Sequence, residues 1–308
     1  ANVAVKRGRG LADRFFDRVM FPIFDERGRC IAFGGRVMGD GQPKYLNTAE
    51  TAIFHKKRNL YGFNWAKQHI VSDARAVVVE GYTDAIACYE AGIGNVVATL
   101  GTALTEQHVK TLTRFSKQII YLFDGDAAGQ KAAERAIQFI EQSSVDLRCV
   151  VLPDNMDPME FLTARGGDAL RALLDDAEPL MDFVFGKLAE RSDVSTPAGR
   201  TKALDEACRL IYPLRASYLI DSYYMQIADR LRLDVDTAQL LRRSSVPCAP
   251  KSRPLDAASR RANPPVLLLR GIVRLPPRQG ELGGALAPRG RCQLFATAAH
   301  TSVCRMTT

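Results

Sequence analysis

Between residues 76 and 152 the chain alternates short apolar runs with stretches whose apolar residues recur every three or four positions. The runs Ala76–Val79, Asn95–Thr99, Gln118–Phe123 and Leu147–Leu152 predict strands. The stretches Thr83–Ala91, Thr105–Phe115 and Ala128–Glu141 predict the helices between them, the second starting at Thr105 with Gln107 and His108 behind it. Such alternation predicts a parallel sheet covered by helices. Upstream, Val19–Phe24 and Cys30–Phe33 flank Asp25-Glu26-Arg27-Gly28, which predicts a β-hairpin. From Pro43 to His69 the chain is dense in Lys, Arg and aromatic residues. Beyond residue 168 the spacing turns helical, through Leu170, Leu173, Leu174, Leu180, Phe183, Val184 and Leu188. Ser195-Thr196-Pro197 predicts a further helix start, followed by Leu204, Cys208 and Ile211, and the pattern resumes from Tyr218 to Leu241. After Arg243 no period is sustained, and eight of the fifteen prolines fall there.

The pattern divides the chain into four parts. An α+β subdomain at 1–72, truncated at its start, precedes an α/β domain at 73–165 with helices on both faces of a parallel sheet. A helical subdomain at 166–245 follows, then a low-complexity basic tail at 246–308, expected to be disordered or non-native sequence. Charge sharpens that division. The tail holds ten of the 42 basic residues and two of the 34 acidic ones, so residues 1–245 carry 32 of each and the formal charge of +8 belongs to the tail. Bulk charge therefore says nothing about the partner of the main body, and local clusters carry that argument. The seven cysteines, at 30, 88, 149, 208, 248, 292 and 304, form no Cys-x-x-Cys pair and predict scattered reduced thiols, not a zinc site. No run of 18 apolar residues predicts a membrane span. The start lacks an apolar signal region and an initiator Met, as expected of a fragment of a longer chain.

Candidate chemistry lies where two apolar runs stop at an acid. Ala76-Val77-Val78-Val79 runs into Glu80-Gly81 and then Asp84, and Tyr121-Leu122-Phe123 runs into Asp124-Gly125-Asp126. In an open parallel sheet the carboxyl ends of neighbouring strands face one crevice, so Glu80, Asp124 and Asp126 would converge. Three carboxylates there repel one another strongly without a partner charge. Oxygen-only ligands suit a hard divalent cation, Mg²⁺ or Mn²⁺. Asp84 also suits a helix cap, and Asp157-Pro158 suits a capped helix start as well as it suits a ligand. His55 and His69 have no paired nucleophile in view and read as solvated or satisfied side chains.

With these residues in place, the chain resembles the bacterial replicative DNA primases of the DnaG type, and its acid-bearing part resembles their Toprim module. The segments Arg18-Val-Met-Phe-Pro-Ile23, Phe33-Gly-Gly-Arg36, Pro43-Lys-Tyr-Leu-Asn47, Phe54-His-Lys56 and Leu60-Tyr-Gly62 carry the closer likeness. It continues through Leu152-Pro-Asp154, Asp157-Pro158 and Ser195-Thr-Pro197 to Gly199-Arg200, and covers roughly residues 11–243.

The resemblance implies primer synthesis: a DNA-directed RNA polymerase, a nucleotidyltransferase, that acts on single-stranded DNA with ribonucleoside triphosphates. It implies catalytic Glu80, Asp124 and Asp126, and metal ligands Glu80, Asp84, Asp124, Asp126 and Asp157 for two or more Mg²⁺ or Mn²⁺ ions. Arg18, Arg36, Lys44, Asn47 and Lys56 are the implied nucleotide and template positions. Lys57 and Arg58, with Tyr45, Tyr61 and Trp65 interleaved, extend that path, where cations follow phosphates and aromatics stack bases. The full-length protein would work in the bacterial cytoplasm at replication forks with the replicative helicase and single-strand binding protein. One departure stands out. The family's usual Asp-Pro-Asp is Asp157-Pro158-Met159 here, and a thioether does not hold Mg²⁺, so either Glu160 substitutes or one metal position is weakened. No zinc ribbon is recognisable ahead of this region and no helicase-binding module behind it. A Toprim nuclease or topoisomerase fragment, or a non-catalytic single-strand-binding module, is the alternative reading.

Overall fold

In the computed structural model the described residues are 3–124, 133–140, 145–214, 217, 219–233, 294–296 and 302–305. The chain opens with an antiparallel pair, β1 (Ala4–Arg7) and β2 (Gly10–Asp13). The expected hairpin follows as β3 (Arg18–Phe24) and β4 (Cys30–Val37). Its turn is held by Asp25, whose Oδ1 accepts from the backbone N–H groups of Arg27 and Arg29 at 2.9 Å each. Gly28 sits there at φ 76°, a left-handed conformation that glycine adopts at little cost. Strand β5 (Tyr45–Asn47) pairs with β4 and sets Tyr45 opposite Arg36.

Helix α1 (Phe63–Asp73) leads into the central sheet. Its strands are β6 (Arg75–Val79), β7 (Val96–Ala98), β8 (Gln118–Phe123) and β9 (Asp146–Val151), in spatial order β9-β8-β6-β7, all parallel. A two-residue strand, β10 (Glu178–Pro179), adds antiparallel to the β9 edge. Helices α2 (Tyr82–Glu90) and α3 (Glu106–Leu112) make the crossovers. Of the predicted Ala128–Glu141 helix, residues 133–140 are described, and they are helical, ending in a 3-10 turn at Ile137–Phe139.

The sheet is buried on both faces, which explains why its strands read as continuous apolar runs. Alternate residues enter two cores. Ala76, Val78, Ile119, Tyr121 and Phe123 face a cluster shared with α1 and the helical region. Val77, Val79, Ile120 and Leu122 face a second, shared with Phe21 and Ile23 of β3. The second core fixes the N-terminal subdomain against the sheet, and so fixes β4 and β5 relative to the strand ends.

Helix α4 (Pro158–Asp175) is broken at Gly166, at φ 79° and ψ 173°, where the sequence pattern placed the start of the helical region. Helices α5 (Leu180–Glu190), α6 (Pro197–Ile211) and α7 (Ile220–Arg230) pack into the first core. Helix α6 starts as expected, with Pro197 in its first turn and the Thr196 hydroxyl accepting from the Gly199 N–H at 3.1 Å. Arg191 ties α5 to Glu206 of α6 at 2.5 Å and to Glu134 at 3.0 Å.

The tail departs from the expectation of no strand in one respect. Strands β11 (Leu294–Ala296) and β12 (Ser302–Arg305) pair with each other, and β12 pairs with β3 at Met20 and Val19. An open sheet edge accepts any backbone that presents N–H and C=O groups, so such pairing needs no apolar period.

Candidate active site

Strands β6 and β8 are neighbours with Val78 opposite Tyr121, so their carboxyl ends open on one edge. Glu80 follows β6 directly and Asp124 follows β8 directly. The buried Tyr121 hydroxyl registers both: its pKa is pushed up by burial first, then by the charges of Glu80 and Asp124. Asp84 stands one turn into α2 and is buried. Burial raises its pKa to about 6, with the charge of Asp157 next and that of Glu80 adding, while hydrogen bonds from the Gly81 and Met159 backbone N–H groups oppose the shift.

Asp157 caps α4. Its Oδ1 accepts from the Glu160 N–H at 2.7 Å, and Glu160 Oε2 accepts from the Asp157 N–H at 3.2 Å. Asp157 lines the cleft all the same. Glu80, Asp84, Asp124 and Asp157 share one hollow of ≈ 300 Å³ with Lys44, Tyr45 and Asn47. Neither Met159 nor Glu160 lines it. With Glu160 turned back onto the Asp157 backbone, the capping box gives no support to the idea that Glu160 replaces the missing carboxylate. Asp126 lies outside the described residues.

Among the described residues no three acid, His or Cys side chains form a ready-made cation cage. The donor set is nonetheless all oxygen, and the crowding felt by Asp84 is what a divalent cation relieves. The residues fit Mg²⁺ or Mn²⁺ bound by few carboxylates and completed by water and substrate phosphates.

The basic residues are distributed over more than one hollow. Lys44 lines the acid cleft and also an adjoining hollow of ≈ 470 Å³ that contains Arg36. The Arg36 guanidinium lies 5.9 Å from the centre of the Tyr45 ring. Lys56 is elsewhere, in a hollow of ≈ 530 Å³ with His55, Lys57, Arg58, Thr102 and Gln107. Its loop is held in shape: Glu50 accepts from the Lys56 N–H and from His55 Nδ1, both at 2.9 Å, and Thr105 Oγ1 donates to the Lys57 carbonyl at 2.6 Å.

Two expectations need correction. Arg18 is buried, and its Nη1 donates to the carbonyls of Gly35 at 3.3 Å and Lys44 at 3.4 Å. It braces the strands that carry Arg36 and Lys44 and does not present a cation to solvent. Tyr61 is also buried, and the half-buried Trp65 packs against it and Tyr89, so both rings are engaged in packing. Of the three aromatics expected to stack bases, Tyr45 is the exposed one, because β5 is an edge strand and Tyr61 bridges inward to Ala98. Sequence reasoning passed over Tyr82 and Gly101, which line the acid cleft; the Gly81-Tyr82-Thr83 text between the two acids was the available signal.

Three families match successive parts of the chain: the DNA primase catalytic core N-terminal domain at residues 1–67, a Toprim-like domain at 77–162, and the DnaB-helicase binding domain of primase at 181–236. A DNA primase domain from Pseudomonas aeruginosa superposes with a TM-score of 0.70 at 40% identity, over 78% of this chain and 76% of that one. The chain belongs to the DnaG-type bacterial DNA primase family. A DnaG primase catalytic domain bound to single-stranded DNA is similar at a TM-score of 0.66 and 40% identity, over 74% and 75% of the two chains. The DNA primase of Streptomyces coelicolor is 42% identical over 242 residues, which is 76% of this chain and 38% of that protein. The chain thus spans well under half the length of that curated relative. The third match corrects the expectation that no helicase-binding module is present. Helices α5 to α7 were read from periodicity as a helical subdomain alone, and periodicity reports a buried stripe, not the outward surface that distinguishes one such module from another.

Proposed function

We propose that this chain is the nucleotidyl-transfer core of a DNA primase, which joins ribonucleotides into short primers on single-stranded DNA. The observation that carries this reading is the single cleft that gathers Glu80, Asp84, Asp124 and Asp157 at parallel strand ends beside Lys44 and Asn47. Glu80, Asp84, Asp124 and Asp157, with Asp126, would hold Mg²⁺ or Mn²⁺. When bound, such ions would supply activation of the attacking 3′-oxygen and neutralisation of the leaving pyrophosphate. The chain's own residues do the rest. Lys44, common to both hollows, supplies a cation for a triphosphate that enters past Arg36. Asn47 offers a hydrogen bond to the nucleotide. Tyr45 and Arg36 present a stacking face and a charge along the edge of β5 for the template strand.

The relative solved with single-stranded DNA supports the choice of template. The match to the DnaB-helicase binding domain supports the replicative helicase as partner of α5 to α7. Single-strand binding protein and the bacterial replication fork follow from the activity. No helix among the described residues is long and apolar enough to cross a membrane. A topoisomerase would require a tyrosine nucleophile in a large separate domain, and the primase matches at 1–67 and 181–236 do not favour that alternative.

The test is synthesis of labelled RNA from ribonucleoside triphosphates on single-stranded DNA with Mg²⁺ or Mn²⁺, run beside plasmid nicking. Metal-dependent primer, or extension on a pre-primed template, is the expected result. Nicking without synthesis would favour the nuclease reading, and neither activity with intact strand binding would favour the binding module.

A further inference from the structure

Tyr82 is the first residue of α2 and lies between the acid-bearing strand end and the hairpin. It is buried, with its ring 5.0 Å from that of Tyr61, 5.3 Å from Phe21 and 5.9 Å edge-on from Tyr45. Gly34 leaves the space for it: a β-carbon there would come within 2.9 Å of the phenol. A phenol, with an ordinary pKa of about 10, keeps its proton at neutral pH and can donate it. The acceptor is Oδ1 of Asn47.

Asn47 is held from its other end as well, since Nδ2 donates to the Leu100 carbonyl at 3.0 Å. These two contacts settle which way the amide faces. A carbonyl oxygen can only accept, so Leu100 selects the N–H end of the amide, Nδ2, and leaves Oδ1 to the phenol. Nδ2 keeps a second hydrogen, and Asn47 lines the acid cleft beside Gly101, whose missing side chain leaves that flank open.

We propose that Tyr82 is a positioning residue: its hydroxyl locks the Asn47 amide so that the second N–H of Nδ2 is presented to an acceptor oxygen of the incoming nucleotide. This rests on the nucleotidyl-transfer reading of the cleft. In this role Tyr82 acts through Asn47. Losing the hydroxyl would let the amide rotate, and the donor would be presented only part of the time.

The experiment is a double-mutant cycle on the 308-residue chain with Tyr82→Phe, Asn47→Ala and the pair. The readouts are the Kd for a ribonucleoside triphosphate with Mg²⁺ by calorimetry, and KM and kcat for primer extension. Tyr82→Phe keeps the ring packing and should melt within a few degrees of the parent. It should raise Kd and KM about threefold to tenfold, the worth of one positioned hydrogen bond, with the effect on KM and not on kcat. In the Asn47→Ala background it should add nothing. A Kd unchanged by Tyr82→Phe, or an equal loss in both backgrounds, overturns the proposal, as does a parent chain that binds no nucleotide. A parent that binds nucleotide but makes no primer sinks the nucleotidyl-transfer reading alone, and the Kd cycle still decides the role of Tyr82.

Discussion

Glu80 and Asp124 are the side chains expected to matter to the chemistry without mattering to the fold. Each follows the last residue of a strand, and each adds charge to a site where Asp84 already feels its neighbours. Glu80→Gln or Asp124→Asn should therefore leave the melting temperature unchanged or raise it by a few degrees in metal-free buffer. Primer synthesis should fall by more than about 100-fold, since even outer-shell partners of a metal typically cost 10–100-fold. Loss of cooperative melting in either variant would show a structural role instead. Met159 makes the complementary case. It is the second residue of α4 and 43% exposed. Met159→Asp adds a carboxylate in the first turn of a helix, where negative charge is favoured, so the fold should tolerate it. The added oxygen should lower the Mg²⁺ concentration for half-maximal primer extension. An unchanged or higher midpoint in the titration would mean that the cleft is not short of a ligand there.

The elements of the central sheet were legible because their burial is two-sided or their caps are local. Gln118–Phe123 was read to its ends, since every position of β8 after Gln118 is buried. The start of α3 was read from Thr105, whose capping box with His108 uses residues three apart. Arg18 and Tyr61 were misread for the opposite reason: their partners, the Lys44 carbonyl and the Ala98 backbone, are 26 and 37 positions away, and spacing carries no record of such contacts. His108 was legible as a helix-start residue but not as a tie between elements. Its Nδ1 accepts from the Thr105 N–H at 3.3 Å, so the neutral ring carries its proton on Nε2 and donates to the Lys56 carbonyl at 2.8 Å. Burial lowers its pKa from 6.5, against hydrogen bonds to the backbone of Lys56 and Asn59 that raise it, and Lys56, Lys57 and Arg58 are the cations of the loop it holds. The folded state thus binds the proton less readily than the unfolded chain. The stability this ring contributes is complete above pH 6.5 and is lost as pH falls from 6.5 towards the lower folded value. His108→Gln should flatten that part of the curve of melting temperature against pH. If parent and variant lose stability in parallel between pH 7 and 5, His108 is not the responsible group.

At the scale of the molecule, the net charge and the candidate active site lie in different parts of the chain. Residues 1–245 are balanced, so a template path on the body would rest on Arg36, Lys44 and Lys56 set against the cluster of carboxylates. The formal +8 lies in residues 246–308, whose described backbone touches the body through two residue pairs between β12 and β3. Each backbone hydrogen bond contributes about 1 kcal/mol net, whereas the two cores join the sheet to the hairpin and to α5–α7 through dozens of buried side chains. Truncation after Arg243 should then shift the melting temperature by no more than a few degrees and leave primer extension on a pre-primed strand near the parent value. Binding to DNA of arbitrary sequence should weaken. On single strands the slope of log K against log salt should become shallower by about 0.7 for each phosphate contact the tail no longer makes. Fluorescence anisotropy across a salt series on both chains reads this directly. An unchanged slope would place non-specific affinity in the body, and a truncated chain that fails to melt cooperatively would make β12 a working part of the N-terminal sheet.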